Sequence, residues 1–454
     1  TRIAKATQEG KWNLVKRLSY LLTHSYSAKL LAVWTVMQNK GRRTPGVDRV
    51  LWTSASDKMR AVLSLTDRQY RAQPLRRIYI PKPGKTTKRP ISIPTMYDRA
   101  MQALYALALQ PIAETTADAR SFGFRLFRST QDASAYAFTC LAKKTSAQWI
   151  LEGDIKGCFD NIAHDWLMEN IPMDRSVLAQ FLKAGYIFEE TLFPTDQGTP
   201  QGGIISPILA NMTLDGIEEL LAARFPGMKV HFIRYADDFL VTVPTKETAE
   251  EVRDVIQEFL AERGLELSME KTVITHINEG FDFLGYKFRK YNGKLLIKPS
   301  RKSIEAITDK IRKVMRKAQA WTQDALIKAL NPIIRGWTNY HHHIVVAETF
   351  RKLDNYLWTV TWRWGKHRHP NKGHRWIARR YWQSKGSRRW VFQTKENKLL
   401  NFSETKIRRH PCPRLKMNPY LDRKYFLERR ERLRQTTPRK RDQKNPLVLP
   451  PSTG

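Results

Sequence analysis

The stretch FIRYADDFLVTV, residues 232–243, places Asp237 and Asp238 side by side within an otherwise apolar, β-branched and aromatic run. Such residues favour strand, and a two-residue Asp-Asp link would close a hairpin between two strands. Asp is also a common turn residue that can simply face solvent. Burying two adjacent carboxylates is costly unless a cation neutralises them, so other parts of the chain must decide between a plain turn and an acidic site.

A second acidic position lies at the end of another apolar strand, in LEGDIKGCFD, residues 151–160. Its Asp154 precedes Asp237 by 83 positions, so only tertiary folding would bring the two together. Two or three converging carboxylates are what a pair of Mg²⁺ ions needs for in-line phosphoryl transfer. Ions bound there would also neutralise the Asp pair.

The charge of the chain indicates a polyanionic partner. The 454 residues carry a net charge of +36, and residues 300–454 hold 38 Lys and Arg against 11 Asp and Glu. Nucleic acid and an anionic membrane surface both fit such a balance. No run of about 18 apolar residues is present, so no membrane partner is expected. Three scattered cysteines indicate a reducing compartment and no disulfide framework.

The order of elements predicts an α+β fold. Strands and helices alternate over residues 1–299 without a Gly-rich nucleotide-binding signature, and residues 1–75 look mostly helical. Residues 300–385 show apolar positions at helical spacing, which predicts a helical domain. Residues 386–434 are basic with short elements, and the polar, Pro-rich residues 435–454 are expected to be disordered.

Eight blocks in order carry a family resemblance. YADD, the Asp154 strand, TPQGGIISPILAN (199–211), LSMEKT (267–272) and FLGYKF (283–288) resemble the blocks of reverse transcriptases. NPIIRGWTNYHHH (331–343) and the segment from 350 to 382 are similar to the maturase domain of group II intron-encoded proteins. The resemblance implies a right-hand polymerase fold: fingers and an antiparallel palm sheet in 1–299, a helical thumb/maturase domain in 300–385 and a DNA-binding segment in 386–434.

By this resemblance, the catalytic and metal-binding residues are Asp154, Asp237 and Asp238, which would hold two Mg²⁺ ions, with the backbone carbonyl of Ile155 as a further ligand. The residues implied to contact the incoming dNTP are Lys82, Arg89, Phe159, Gln201 and Lys271. The residues implied to contact template or intron RNA are Arg42, Arg43, Arg125, Arg128, Arg335, Arg363, Lys366, Arg379 and Arg380. In the block at 120–130, Leu126-Phe127 stands where many relatives carry Pro-Gly.

The implied function is an RNA-directed DNA polymerase that also binds its parent group II intron RNA to promote splicing and mobility. Its partners would be intron RNA, an RNA template, a DNA primer or target DNA, and dNTPs, in a cytoplasmic ribonucleoprotein. A splicing-only maturase predicts eroded carboxylates, whereas all three are present. A retron or CRISPR-linked reverse transcriptase would lack the segment at 331–382. No HNH endonuclease activity is expected, because its Cys pairs and His-Asn signature are not seen.

The Trp-rich segment and the His run in the last third of the chain both have ordinary structural explanations. Eight of the 13 Trp lie between Trp321 and Trp390, interleaved with basic residues that suit RNA. We expect over half of these eight to pack between helices, leaving most RNA binding to Lys and Arg. The HHH run at 341–343 has no CxxC pair beside it, and consecutive helical residues point in divergent directions, so no zinc is expected.

Overall fold

The structure is a computed structural model that describes residues 1–81, 88–385 and 388–436, arranged in two compact units. Unit 1 comprises Thr1–Phe281, Asn292–Lys294 and Pro413–Lys424. Unit 2 comprises Asp282–Tyr291, Leu295–Cys412 and the described residues from Tyr425 onward. Helices and sheets occur in both, and the α+β class predicted from the sequence is confirmed.

Unit 1 is built around a long buried helix that contacts the N-terminal helices and the helix Ser206–Leu214. That helix, α5, starts at a Thr95 side chain that accepts the backbone N–H of Asp98, as an N-cap should. The helices of unit 1 are α1 (Arg2–Gln8), α2 (Trp12–His24), α3 (Tyr26–Gln38), α4 (Ala55–Ser64), α5 (Met96–Thr116), α6 (Thr130–Leu141), α7 (Cys158–Asn161), α8 (His164–Asn170), α9 (Arg175–Leu182), α10 (Ser206–Leu214), α11 (Ile217–Arg224) and α12 (Lys246–Ala261).

Two four-stranded sheets complete unit 1. Their strands are β1 (Leu75–Pro81), β2 (Lys88–Ile93), β3 (Trp149–Asp154), β4 (Tyr186–Phe188), β5 (Thr191–Phe193), β6 (His231–Tyr235), β7 (Asp238–Val243) and β8 (Val273–His276). The first sheet has the order β2-β1-β4-β5, in which β1 and β2 form the antiparallel pair expected for residues 76–94. The second sheet has the order β6-β7-β3-β8 and is antiparallel throughout.

The core of the second sheet explains why its acidic strands are so apolar. Ile150, Leu151, Leu240, Val241 and Val243 are all fully buried, and α12 packs against β3 and β7. Burial of each such side chain is worth about 1.5–3 kcal/mol, so the apolar run fixes the two strands side by side. This pairing places Asp154, at the end of β3, beside Asp238, at the start of β7.

Unit 2 begins at Asp282, earlier than the boundary after residue 299 that the sequence predicted. The reason is packing within unit 2. Tyr286 stacks on Tyr340 with ring centroids 5.1 Å apart, and the Tyr340 hydroxyl donates to the carbonyl of Leu284. The elements that lie wholly or mostly in unit 2 are β9 (Phe281–Phe283), β10 (Tyr286–Tyr291), β11 (Lys294–Pro299), α13 (Arg301–Lys317), α14 (Gln323–His341), α15 (Ala347–Arg368), α16 (His374–Tyr381), β12 (Trp382–Lys385), β13 (Arg388–Phe392) and α17 (Arg423–Thr436).

The basic segment at 386–434 is divided between the two units. Pro413–Lys424 belongs to unit 1, where the Asn418 side chain donates to Thr115 Oγ1 and the Tyr420 hydroxyl donates to Gln110 Oε1. The last helix extends to Thr436, two residues into the expected tail, and residues 437–454 lie outside the described residues. Within the described ranges, none of the helices combines the length and apolar character needed to cross a bilayer.

Two histidines of unit 2, His341 buried and His343 half-buried, predict acid sensitivity. Burial lowers the pKa of His341 and of His343 to about 3. Histidine in the unfolded state has a pKa near 6.5. Between about pH 6.5 and 3 these histidines are therefore protonated in the unfolded state and neutral in the folded state. Stability is complete above pH 6.5 and should fall by ~1.4 kcal/mol per pH unit for each histidine below it. Urea unfolding from pH 7.5 to 5 should show this loss of stability. His343→Phe should make the slope shallower without abolishing it, because His341 remains and burial also lowers the pKa of His342. An unchanged slope would contradict the assignment.

Candidate active site

The hairpin at YADD differs by one residue from the expected Asp-Asp link. Strand β6 ends at Tyr235, which pairs with Asp238, so the two-residue loop consists of Ala236 and Asp237. Ala236 has φ 59°, the left-handed conformation that the first position of a tight hairpin loop requires. Asp237 therefore lies in the turn, while Asp238 is the first residue of β7.

The third carboxylate joins them through strand register. In the antiparallel pair β3–β7, Asp154 lies directly opposite Asp238. Directly opposed residues have Cβ atoms about 4.5–5.5 Å apart, so Asp154 and Asp238 are neighbours although 84 positions separate them. The structure thus brings all three predicted aspartates together at one end of the sheet.

Burial and neighbouring negative charge raise the pKa of two of these carboxylates, Asp237 and Asp238. Burial, followed by the charge of Asp154, raises the pKa of Asp237, while Arg89 and Lys271 oppose the rise. The pKa of Asp238 is raised to about 6, first because the surrounding protein displaces water and then because Asp237 and Asp154 lie beside it. Such mutual repulsion is the signature of a site that stabilises positive charge.

Lys271 supplies positive charge in this arrangement. Its ammonium group forms an ion pair with Asp154 Oδ2, and this hydrogen bond raises the pKa of Lys271. The preceding turn fixes the lysine, because Ser268 donates its N–H to the Asp154 carbonyl over 2.8 Å. An isolated bridge joins Ile155 to Leu267 here. The two hydrogen bonds around it use the carbonyls of Asp154 and Glu266, so the bridge itself does not use the Ile155 carbonyl.

The three aspartates do not form a ready-made metal cage. Across residues 1–81, 88–385 and 388–436, no group of three or more His, Cys, Asp or Glu side chains is arranged to hold a metal ion. At the aspartates the Lys271 ammonium already pairs with Asp154. The donor chemistry nevertheless fits a hard divalent cation, because carboxylate oxygens are the ligands Mg²⁺ prefers and these carboxylates repel one another.

Phe159 and Gln201 lie on two segments that are bonded to each other. The carbonyl of Phe159 accepts the N–H of Thr199 over 2.6 Å. The Gln201 side chain donates to Asp160 Oδ2 over 3.0 Å. The backbone carbonyl of Gln201 accepts the N–H of Ser92 near the end of β2. The loop TPQGG therefore connects the segment after Asp154 to the β1–β2 hairpin.

The hairpin places one of its two predicted phosphate-binding cations. Arg89 on β2 pairs with Ile80, is exposed, and lies close enough to Asp237 to lower the pKa of that carboxyl. Lys82, the other cation assigned to the triphosphate, falls outside the described residues.

Comparison with known families decides the identity. Residues 80–288 match the family model described as reverse transcriptase (RNA-dependent DNA polymerase), and residues 304–382 match the maturase-specific domain of group II introns. Residues 1–65 match the N-terminal domain of reverse transcriptase. The chain belongs to the group II intron-encoded reverse transcriptases. It is an RNA-directed DNA polymerase with a role in intron splicing, and the expected mixed helix-and-sheet fold, a reverse transcriptase domain followed by a helical maturase domain, is confirmed.

Curated relatives agree with this membership. The group II intron-encoded protein LtrA of Lactococcus lactis subsp. cremoris is 28% identical over an alignment covering 79% of this chain and 75% of LtrA. Protein YkfC of Escherichia coli K12 is 32% identical, covering 55% of this chain and 77% of YkfC. An uncharacterized 91 kDa protein in the cob intron of Schizosaccharomyces pombe is 27% identical, covering 69% of this chain and 49% of that protein.

The template residues assigned from sequence have different surroundings. Arg42 and Arg43 are exposed in a short 3-10 helix, Lys40–Arg43. Arg125 is not available to a template, and that assignment is corrected: its side chain is 6% exposed and forms a buried ion pair with Glu114 over 2.9 Å. Arg128 is half-buried, and its guanidinium faces the carbonyls of Leu415 and Met417.

A buried cation that no sequence motif indicated lies beneath the acidic turn. Arg234 is fully buried on β6 and donates to Asp215 Oδ1 over 2.5 Å, to Asn211 Oδ1 over 2.9 Å and to the Ala236 carbonyl over 3.3 Å. Burial raises the pKa of Asp215 to about 7, although Arg234 opposes the rise. The available signal was an arginine inside the apolar run FIRYADD.

The basic residues of unit 2 are mostly accessible. Arg335 on α14 is half-buried, whereas the predicted cations on α15 and α16 are exposed, namely Arg363, Lys366, Arg379 and Arg380. The expectation that over half of the eight Trp pack in the core is wrong. Only Trp364 and Trp382 are buried, and the exposed ones are Trp321, Trp358, Trp376 and Trp390.

Proposed function

We propose that the polymerase works with two Mg²⁺ ions held by Asp154, Asp237 and Asp238, with the Ile155 carbonyl completing the ligand set. The observation that supports this is the register of β3 and β7, which converges the three carboxylates at one sheet end. When bound, such ions would lower the pKa of the attacking 3′-hydroxyl and stabilise charge on the leaving pyrophosphate. The aspartates serve to hold and space the cations, and Arg89 with Lys82 to bind the triphosphate oxygens.

Two roles are possible for Lys271, competition with Mg²⁺ for Asp154 and binding of the incoming nucleotide, and its substitution distinguishes them. Because its ammonium neutralises Asp154, it competes with a cation for that carboxylate. Lys271→Ala is expected to lower the Mg²⁺ concentration that half-saturates primer extension, by several-fold. If Lys271 instead binds the incoming nucleotide, as its motif implied, the KM for dNTP should rise while the Mg²⁺ dependence stays constant. Extension rates measured across Mg²⁺ and dNTP concentrations separate the two, and Lys246→Ala on α12 is the control.

We assign sugar discrimination to Phe159. The ring follows Asp154 by five residues and is half-buried. An aromatic ring beside the incoming sugar leaves no space for a 2′-hydroxyl, which favours dNTP over rNTP. Gln201 is assigned to pack against the nascent base pair, held by Asp160 and Ser92.

Intron RNA is proposed to bind the exposed Trp and cations of unit 2. Trp358 and Trp362 stack nearly parallel on α15, with centroids 5.6 Å apart and an angle of 10°, and Lys366 follows one turn later. Trp390 approaches the ring of Trp362 at 6.4 Å. Aromatic rings next to cations suit unpaired bases and their phosphates.

Trp358→Ala is expected to weaken binding of single-stranded RNA by about 5- to 150-fold, because a stacked base contributes roughly 1–3 kcal/mol. Trp358→Phe should keep most of the affinity. Lys366→Ala should instead reduce the dependence on salt by about one unit of log–log slope. Fluorescence anisotropy at several KCl concentrations measures both effects. Wild-type affinity in Trp358→Ala would show that this ring has only a packing role.

Mobility by target-primed reverse transcription and a cytoplasmic ribonucleoprotein are the remaining parts of the proposal. Both rest on family membership and on the basic charge of residues 300–454. A mobility assay with a donor intron should require Asp237 for insertion of the intron, while splicing should continue in Asp237→Asn. Equal loss of splicing and insertion would contradict the separation of the two activities. Cell fractionation should recover the protein with intron RNA in the cytoplasm.

A further inference from the structure

Phe124 is an exposed aromatic residue in an unusual backbone conformation. Its φ is 58°, in the left-handed region, and its side chain is 52% exposed. A bulky residue rarely adopts this conformation, and when it does the surrounding structure must hold it there. An exposed ring gains little from burial, so the core does not explain why a Phe occupies this position.

The backbone before Phe124 is fixed against the acidic hairpin. The Phe122 N–H donates to the carbonyl of Arg234 over 2.9 Å. Gly123 approaches the loop so closely that a Cβ there would lie 2.2 Å from the Ala236 nitrogen. Only glycine fits, and the position of Phe124 is therefore tied to that of Asp237, the next residue after Ala236.

The backbone after Phe124 is fixed by the buried ion pair of Arg125 with Glu114. The Arg125 guanidinium also donates to the carbonyls of Asp118 and Ser121, over 2.8 and 3.1 Å. Glu114 in turn accepts the N–H of Leu126 over 3.0 Å. These bonds hold the strained residue from both sides.

The ring of Phe124 contacts Phe159. The two rings meet edge to face, with centroids 6.1 Å apart and an interplanar angle of 80°. The Phe159 backbone is fixed by Thr199, and its half-buried ring packs on one side against the apolar core. Phe124 is an aromatic neighbour of that ring, and about half of its own surface remains exposed.

We propose that Phe124 is a positioning residue for sugar selection: it holds the Phe159 ring in the orientation that excludes a 2′-hydroxyl. This inference rests on the proposed role of Phe159. Loss of the Phe124 ring lets Phe159 rotate away, so ribonucleotides enter more readily while the aspartates remain in place.

The test is single-nucleotide incorporation on an RNA template and DNA primer, with kcat and KM measured separately for a dNTP and the matching rNTP. Phe124→Ala should lower the ratio of kcat/KM for dNTP to that for rNTP by about two- to tenfold, the factor expected for loss of one edge-to-face pair. Phe124→Tyr should restore the ratio. In the double variant Phe124→Ala/Phe159→Ala, the ratio should equal that of Phe159→Ala alone, because Phe124 acts only through Phe159. Leu126→Ala, in the same loop, should leave the ratio unchanged.

Other outcomes overturn the inference. Equal losses of dNTP and rNTP incorporation, with an unchanged ratio and a lower melting temperature, would make Phe124 a purely structural residue. Additive effects in the double variant would show that it acts independently of Phe159. An unchanged ratio in Phe159→Ala, with dNTP extension intact, would remove the role of Phe159 and this inference together, yet leave the polymerase chemistry standing.

Discussion

Asp154→Asn is expected to reduce primer extension at least about 10³-fold. The amide keeps the size of the side chain but removes one of the three charges that β3 and β7 bring to one sheet end. Loss of several kcal/mol of transition-state stabilisation corresponds to a factor of this order. The substitution also frees Lys271 from its ion pair, so the site loses a negative charge and keeps a positive one. The measurement is the rate of single dNTP addition at saturating Mg²⁺.

The matched control is Asp254→Asn on α12, whose carboxylate is 66% exposed. It removes the same charge from the same unit and should leave the rate within about twofold. Folding of Asp154→Asn is checked by its melting temperature, which should stay near that of the wild type because loss of the Lys271 ion pair is offset by relief of the repulsion from Asp237 and Asp238. A variant that retains extension would show that Asp154 is not part of the catalytic site.

Arg234→Met is expected to lower the free energy of unfolding of unit 1 by ~3–5 kcal/mol, as when one partner of a buried ion pair is removed. Asp215 would keep its buried carboxyl without the guanidinium, and Asn211 and the Ala236 carbonyl would lose a donor. Urea unfolding followed by circular dichroism measures the loss. Lys5→Met, whose side chain is 72% exposed, should change the stability by less than about 0.5 kcal/mol.

The double variant Arg234→Met/Asp215→Leu separates stability from catalysis. Replacing both charges by apolar side chains should recover much of the stability. It does not restore the donor to the Ala236 carbonyl, so extension should stay impaired through a lower kcat. Full recovery of both would mean that Arg234 has no part in positioning Asp237.

Local sequence patterns and family motifs were sufficient to predict the features that short segments encode. The β1–β2 hairpin, the strands on either side of YADD and the convergence of Asp154 with the Asp pair follow from apolar runs and ordered motifs. The exact loop did not follow, because strand register depends on pairing partners. That register makes Ala236-Asp237 the turn and leaves Asp238 in β7.

Partners distant in sequence explain the remaining errors. The family resemblance implied that Arg125 contacts the template. Its ion-pair partner Glu114 lies on α5, and no sequence pattern indicates that pair. The arginine of FIRYADD was read as part of a strand, since Asn211 and Asp215 become visible only in three dimensions. The expectation that over half of the eight Trp pack in the core rests on the usual burial of aromatic rings, whereas four of the eight are exposed.

The central claim, that this chain copies RNA into DNA with three aspartates, is tested most directly by extension of a DNA primer on an RNA template with Mg²⁺ and dNTPs. Wild-type protein and Asp237→Ala are compared in the same assay, with RNA binding measured in parallel. We predict extension by the wild type, loss of extension in the variant and equal RNA binding by both. Extension that survives in Asp237→Ala, or a wild type that binds RNA tightly without extending the primer, would contradict this assignment of the aspartates.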